Sequence, residues 1–585
     1  MRRALLVLAL AGCAGSADGG VDIPDAGGQG DALPACVLAY DPVDPVANPI
    51  LPIRVYSSVV HTPGVISYLW RVTFNGTDVP FTEQAADFSQ IGFIAETPGV
   101  YRVEAQFTGA ATCTYADINI TVGAPGANTS IFRLRTMPPA SLAPPQETLI
   151  QVKGGGDADR AITLDAGLAV TGTVRNMTNN AGVQAYLKFI PVSAPNAYSE
   201  VFSSMTGAYS LRLLLVNHDV LVVPAVAGLA PRLVPWSSAP LTETLLVGPG
   251  TAVNGTVRNP AGVGFGGAKV QLYAGGVPST IATTAADGSF TVRTDFPASA
   301  TNVTVKVTPP AASGLPRLEA TGTFSLASAL QINYSAALAT CDLANTFVRR
   351  GGTAQPGARV SVVGALAGTA GTVTAGITVN ATNTVRVTAT ADGNGRLPAM
   401  LVPRGALSAV TELAGSDHAI SALDTTSSCS VAQVDAPAQT TINGTTRDGT
   451  TAIGGVRIEA MPAGMLALAG ALPVQAISQE SGAFSLPLAP GARYHVRFSD
   501  PLARVAPLEA KDVAPGGVPT NAVLPEALAI SGLVSVASNT NPVIGASIQI
   551  LCATCTGLEA TLPIAETATD IVSRYRIAVP DPGTM

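Results

Sequence analysis

Four segments of this chain open on nearly the same residues, and that self-similarity limits what it can fold into more than any other feature. They are Ala169-Val170-Thr171-Gly172-Thr173-Val174-Arg175-Asn176, then AVNGTVRN around Gly255, TINGTTRD around Gly444 and AISGLVSV around Gly532. In each, a later turn feeds an aromatic residue: Gly207-Ala208-Tyr209, Asp287-Gly288-Ser289-Phe290, Gly482-Ala483-Phe484 and Ser573-Arg574-Tyr575. Opening and later glycines are 35, 33 and 38 residues apart in the first three. A weaker copy lies between the second and third, with Pro356-Gly357-Ala358-Arg359-Val360 and Asp392-Gly393-Asn394-Gly395-Arg396-Leu397. With Gly352 as its opening glycine, successive starts differ by 83, 97, 92 and 88 residues. The chain therefore reads as five copies of one unit.

Within each copy the apolar residues alternate. Phe290 and Val292 keep one phase with Val303, Val305 and Val307; Phe484, Leu486 and Leu488 do so with Tyr494, Val496 and Phe498. Period two marks strands with one buried face. Glycine (59) and proline (44) recur every few residues, leaving few windows for a helix of ordinary length. The 47% hydrophobic content supplies cores, so a charged fraction of only 12% does not signal disorder. Seven or so strands per unit make a small antiparallel sandwich. The expected fold is all-β: tandem antiparallel β-sandwiches, Ig-like or transthyretin-like, joined by short linkers. The units are 165–248, 249–336, a divergent 337–436, 437–527 and 528–585. The fourth clear copy runs out after Tyr575, Ile577 and Val579, so it is expected to lack its last strand; the gap is then covered from within the chain, for instance by the segment around Leu524 to Leu528, or the reading frame is truncated, or the edge is left open to strand addition.

The pattern G-x-V-x, then P/G-x-x-G-A-x-V, then T/S-x-x-D-G-x-F/Y-x-V/L resembles carboxypeptidase regulatory-like domains, transthyretin-like sandwiches with a carbohydrate-binding-like fold. The resemblance covers about 70% of the chain and implies a fold rather than a function, since such modules serve as spacers, stabilisers or binders. The first copy lacks the Asp before Gly207, and the fourth has Ser573 where Gly is expected.

Ahead of the repeats, residues 35–124 form a different unit. Ser67-Tyr68-Leu69-Trp70-Arg71-Val72-Thr73-Phe74 and Pro98-Gly99-Val100-Tyr101-Arg102-Val103 resemble a PKD-type or broader Ig-like domain with Trp70 in its core, although the Trp-Asp-x-Gly-Asp signature is missing. Residues 125–164, with MPPASLAPP and KGGGDADR, read as a linker. Residues 1–12, MRRALLVLALAG, read as an export signal too short to span a bilayer. Leu10-Ala11-Gly12-Cys13 resembles the lipobox of bacterial lipoproteins, which implies cleavage before Cys13 and its lipidation, hence a membrane attachment through the N-terminal lipid. Ala14 rather than Asp after it implies the outer membrane. Residues 13–34 read as a flexible tether.

Without Cys13, six cysteines remain: Cys36, Cys113, Cys341, Cys429, Cys552 and Cys555. An even set in an exported chain reads as disulfides, with neighbours paired as Cys36–Cys113, Cys341–Cys429 and Cys552–Cys555. A redox role for Cys552-Ala-Thr-Cys555 is disfavoured, because its flanks read as strand and turn rather than a helix start. The search for chemistry returns no catalytic, metal or cofactor site. The four histidines, His61, His218, His418 and His495, fall on separate modules, and HExxH, G-x-S-x-G and the phosphate-loop motif are absent from the sequence. Gly415-Ser416-Asp417-His418 reads as a polar turn. Asp157-Ala158-Asp159 and Asp392-Gly393-Asn394-Gly395 offer calcium-type oxygens but read better as Asx turns. Lys269, considered for an isopeptide bond, reads as a surface lysine.

A net charge of −7 with no basic block argues against a nucleic-acid partner. The expected role is surface binding or adhesion by a lipid-anchored, non-enzymatic array, its partner a polysaccharide or a surface protein. The alternative is a stalk or scaffold with no ligand. Aromatics are 5% of the chain and mostly in strand phase, so the sequence does not favour binding over scaffold.

Overall fold

Alternating apolar residues become strands throughout. The computed structural model describes residues 37–42, 44–57, 67–83, 90–109, 114–124, 129–154, 158–237, 242–296, 299–413, 417–537, 542–555 and 562–580. Cys13, Cys36, Cys113, His61, Asp157 and the tether lie outside them. The chain divides into two units: Met1–Phe132 with Leu149–Gly154, and Arg133–Thr148 with Gly155–Thr584. In the first, one sheet orders Leu38–Asp41, Ile53–Ser57, Gln90–Phe93 and Phe81–Glu83; the other orders Thr77–Asp78, Ser67–Phe74, Gly99–Thr108 and Tyr115–Val122. Trp70, Val72, Tyr101, Val103 and Ile120 are buried in its core, an Ig-like β-sandwich.

The second unit holds the repeats. In the copy beginning at Leu168, a three-stranded sheet orders Ala208–Leu213, Leu168–Asn176 and Thr242–Val247, the last running parallel to Leu168–Asn176. A four-stranded sheet orders Ser199–Phe202, Ala185–Pro191, His218–Pro224 and Arg232–Trp236. The opening glycine pairs with the aromatic across the sheet: Gly172 with Tyr209, Gly255 with Phe290, Gly444 with Phe484, Gly532 with Tyr575. A Cβ at Gly255 would collide with Phe290 Cζ and lie 2.6 Å from the Leu330 carbonyl oxygen; at Gly444 it would lie 2.5 Å from Phe484 Cζ and 2.6 Å from the Thr520 oxygen. The ring covers the glycine and the parallel last strand closes on its other side. The later turn repeats too. Val174, Val257, Thr446 and Val534 donate their N–H to the carbonyls of Gly207, Gly288, Gly482 and Ser573 at 2.8–2.9 Å.

In the divergent copy that same bond runs from Val348 to Gly395 at 2.7 Å. Its opening position is therefore Thr346, and the expectation of Gly352 is corrected: Gly352 sits in the turn between Phe347–Arg350 and Thr353–Ala354. The physical reason is a matched exchange. Leu397 stands where the other copies have an aromatic ring, and the smaller side chain makes room for Thr346 in place of glycine.

Two further expectations are corrected by the C-terminal copy. Residues 125–164 are no linker: they contain the strands Thr129–Met137, Gln146–Lys153, Ala158–Asp159 and Ile162–Leu164. Nor does the last copy lack its closing strands, because these four supply them. Ala158–Asp159 and Ile162–Leu164 run parallel to Ala527–Val536, as Asn521–Leu524 runs parallel to Thr440–Asp448 in the preceding copy. The second sheet orders Gln146–Lys153, Thr129–Met137, Ser547–Cys552 and Pro563–Ala568, matching Leu508–Val513, Arg493–Ser499, Arg457–Ala463 and Val474–Ile477. A Cβ at Gly532 would collide with the Arg160 carbonyl oxygen, and the Tyr575 hydroxyl donates to that same oxygen at 2.7 Å. Arg160 thus stands where Leu330 and Thr520 stand in other copies. Arg135 completes the join, donating to Glu147 at 2.7 Å and to Gln549 at 3.3 Å.

Another join links the copy beginning at Thr251 to the divergent one. The hairpin of Gly371–Thr374 and Thr378–Thr390 pairs with Leu330–Tyr334 through one strand and with Arg317–Ser325 through the other. Two sheet edges of one copy are thereby covered by a hairpin of the next, which protects them from pairing with other chains.

Candidate functional site

Sheet alternation decides which side chains the first repeat shows to solvent. In Ala185–Pro191 the inward phase is Ala185, Leu187, Phe189 and Pro191, all buried, so Tyr186, Lys188 and Ile190 point outward. On the neighbouring edge strand Glu200 and Phe202 point the same way, with Tyr186 opposite Phe202 and Lys188 opposite Glu200. The Tyr186 and Phe202 rings lie 5.4 Å apart, tilted by 55°, and Phe202 is 71% exposed. The Lys188 ammonium sits 3.4 Å over the centre of the Tyr198 ring, a cation–π contact. Met205, 83% exposed, and Val192 add apolar surface in the adjoining turns.

The Tyr186 hydroxyl donates to the Glu200 carboxylate. Burial of the ring and that carboxylate push the phenol pKa well above its usual range, so Tyr186 remains a protonated donor at neutral pH. The face thus combines three aromatic rings, two of them phenols, with one cation and one carboxylate. Farther along the sheet, Leu221 and Leu233 pack against the core of the next repeat, so the open part is the side carrying Tyr186, Tyr198 and Phe202. Aromatic rings flanked by fixed hydrogen-bonding groups suit a ligand with an apolar face and polar edges. None of these residues figures among the candidates drawn from the sequence. The available signal was phase: in Ala-Tyr-Leu-Lys-Phe-Ile-Pro, a tyrosine out of step with the core residues must face outward.

The residues singled out from the sequence have structural surroundings. Cys341 and Cys429 are bonded, their Cα atoms 5.1 Å apart, with Cys341 buried in the core of the divergent repeat. Cys552 and Cys555 are bonded, 5.4 Å apart, at the end of the strand Ser547–Cys552. Asp417 receives two hydrogen bonds from the Arg350 guanidinium, at 2.5 and 3.0 Å, and buried His418 contacts the Leu472 carbonyl at 3.1 Å. Asp392 accepts from the backbone N–H of Asn394 and of Arg396, both at 2.8 Å, an Asx turn that also holds its pKa below the usual carboxylate range. Lys269 is exposed, paired through its backbone with Thr283 and Thr308. Among the described residues no three His, Cys, Asp or Glu side chains come together as a metal would require, and no helix is long and apolar enough to cross a membrane.

No protein-family model matches the chain, and no curated protein matches it. Solved structures do. The Bacillus anthracis TIE protein is matched over 70% of this chain and 75% of its own, at 11% identity and a TM-score of 0.14. A streptococcal ancillary pilin is matched over 46% of this chain and 99% of its own, at 11% identity and a TM-score of 0.17. BcpA, the major pilin subunit of Bacillus cereus, is matched over 63% and 98%, at 10% identity and a TM-score of 0.12. Scores this low carry no inference about function.

Proposed function

We propose that this chain is a cell-envelope binding protein, attached through a lipid on Cys13 and presenting the outer face of its first repeat to a surface polysaccharide. The carrying observation is the cluster of Tyr186, Tyr198 and Phe202 beside Lys188 and Glu200. Sugar rings present C–H faces that stack on aromatic rings, and hydroxyl edges that exchange hydrogen bonds with carboxylate, ammonium and phenol. The role is binding without chemistry: Glu200, the carboxylate of the cluster, is engaged by Tyr186. The motif resemblance to carbohydrate-binding-like sandwiches agrees with this reading, and the export signal and lipobox-like tetrad agree with an envelope location. A glycan array probed with the soluble chain from Val21 onward tests it. Hits that the double variant Tyr186→Ala/Phe202→Ala loses support the proposal; hits that the variant retains move the site elsewhere.

A second reading, a scaffold with no ligand, is favoured by the hairpin of residues 371–390 that ties two repeats together through both sheets. An array that stays silent on glycans of every class, while loss of the chain alters envelope integrity, supports that reading instead.

A further inference from the structure

The C-terminal repeat is built from two pieces of chain that meet only through hydrogen bonds and packing. Its own strands are Ala527–Val536, Ser547–Cys552, Pro563–Ala568 and Arg574–Pro580; the rest come from residues 129–164. Between donor and acceptor stand four repeats whose cores are formed without either piece. The recognition is carried by backbone and by local fit. Arg160 donates its N–H to Ser531 at 2.7 Å, Ala537 donates to Leu164 at 2.8 Å, and Gly532 and Tyr575 close on the Arg160 carbonyl. Leu134, Ile162 and Leu164 of the donor are buried, as are Ile548, Ile550 and Ile577 of the acceptor. Nothing in these contacts depends on donor and acceptor belonging to one chain, and an acceptor without a donor has two unpaired strand edges beside apolar residues.

We propose that the donor strands are exchangeable, so that the C-terminal repeat of one chain takes residues 129–164 of a second copy and the chain assembles head to tail through the strands that otherwise close it on itself. The two surfaces are different, so the exchange closes within one molecule, closes reciprocally between two chains, or propagates from chain to chain. Which form dominates is set by concentration, because the cis donor is held at a fixed effective concentration while the trans donor is not. This inference does not use the aromatic face and stands or falls separately from it.

Thr163 and Ser535 are directly paired across the parallel join, which gives a register-specific reporter. The full chain carrying Thr163→Cys and Ser535→Cys is prepared in heavy-isotope and ordinary forms, mixed, unfolded, refolded over a range of protein concentrations and oxidised. Peptide mapping then separates crosslinks within one chain from those between chains. Expected are heavy–light disulfide-linked peptides joining positions 163 and 535, their share rising several-fold with concentration, in species larger than a monomer by light scattering. Heavy–heavy and light–light peptides alone at every concentration overturn the proposal. So does an absence of any peptide linking the two positions, which refutes the register itself. As a control on folding, Gly532→Val, which fills the space against the Arg160 carbonyl, should abolish the larger species while the divergent repeat keeps its amide protection. Larger species that survive it overturn strand exchange as their cause.

Discussion

Gly255 shows how much of the fold rests on a single absent methyl group. Its side-chain position is closed by Phe290 on one side and the Leu330 carbonyl on the other, so Gly255→Ala must push either the ring or the last strand outward. The expected loss is about 1–3 kcal/mol for that repeat, as for other overpacked sites, read from the exchange protection of its own amides rather than from a global melt. Ser573 is the converse. It occupies the turn that Gly207, Gly288 and Gly482 fill elsewhere, and it takes φ of +62° with its hydroxyl buried and unpartnered. Ser573→Gly should therefore stabilise the C-terminal repeat by about 1 kcal/mol, the cost of holding a side chain in the left-handed region; unchanged protection at Val534 would refute this. His218 supplies a pH dependence. Burial against Trp236 and Phe189 lowers its pKa, only partly countered by its hydrogen bond to the Val216 carbonyl. The unfolded chain then binds the proton first, so the stability of the first repeat should hold above about pH 6.5 and decline as pH falls below it. His218→Phe should flatten the decline, and an equal slope in wild type and variant would show another group responsible.

At the scale of elements, the Cys341–Cys429 bond joins strand Thr340–Asp342 to the approach of the closing strand Gln433–Asp435. It closes a loop of 88 residues, for which chain entropy gives about 4–5 kcal/mol. The double variant Cys341→Ala/Cys429→Ala should lose most of that in the divergent repeat, whereas Cys552→Ala/Cys555→Ala should cost much less, since its partners are only three positions apart. Equal losses would mean that packing of the buried sulfur, not loop closure, sets the value. Elements also mark where the sequence was legible and where it was not. Alternation in Ser289–Thr294, Ala483–Leu488 and Arg493–Ser499 identified buried strands, because each pairs with residues of its own repeat. The strand Thr129–Met137 alternates as well, with Phe132, Leu134 and Thr136 buried and Arg133 and Arg135 between them. It was hidden because the prolines and glycines around it read as a loop and its partner strand begins at Ser547. Contiguous repeats can be found by comparing windows; a repeat split across the chain cannot. The aromatic face was obscured for a related reason, since a tyrosine in a strand reads as core until its phase is set against its neighbours.

On the scale of the whole molecule, the split repeat couples residues that sequence places far apart. The amide of Arg160 is held by Ser531 and the amide of Ala537 by Leu164, so neither can exchange with solvent unless the same interface opens. Amides released by one opening share one free energy of exchange, whatever their separation along the chain. Arg160, Val534 and Ala537 should therefore show equal protection, and Gly532→Val should lower all three by the same factor. Val348, bonded to Gly395 within the divergent repeat, should keep its own value. Were residues 129–164 only resting on a C-terminal repeat that folds by itself, Gly532→Val would strip protection from Arg160 and leave Val534, whose partner is Ser573, nearly unchanged. Equal loss at both positions identifies one sandwich made from two ends of the repeat array. The first strands of the array then finish the last repeat, and the edge that a repeat must otherwise protect is consumed in the join.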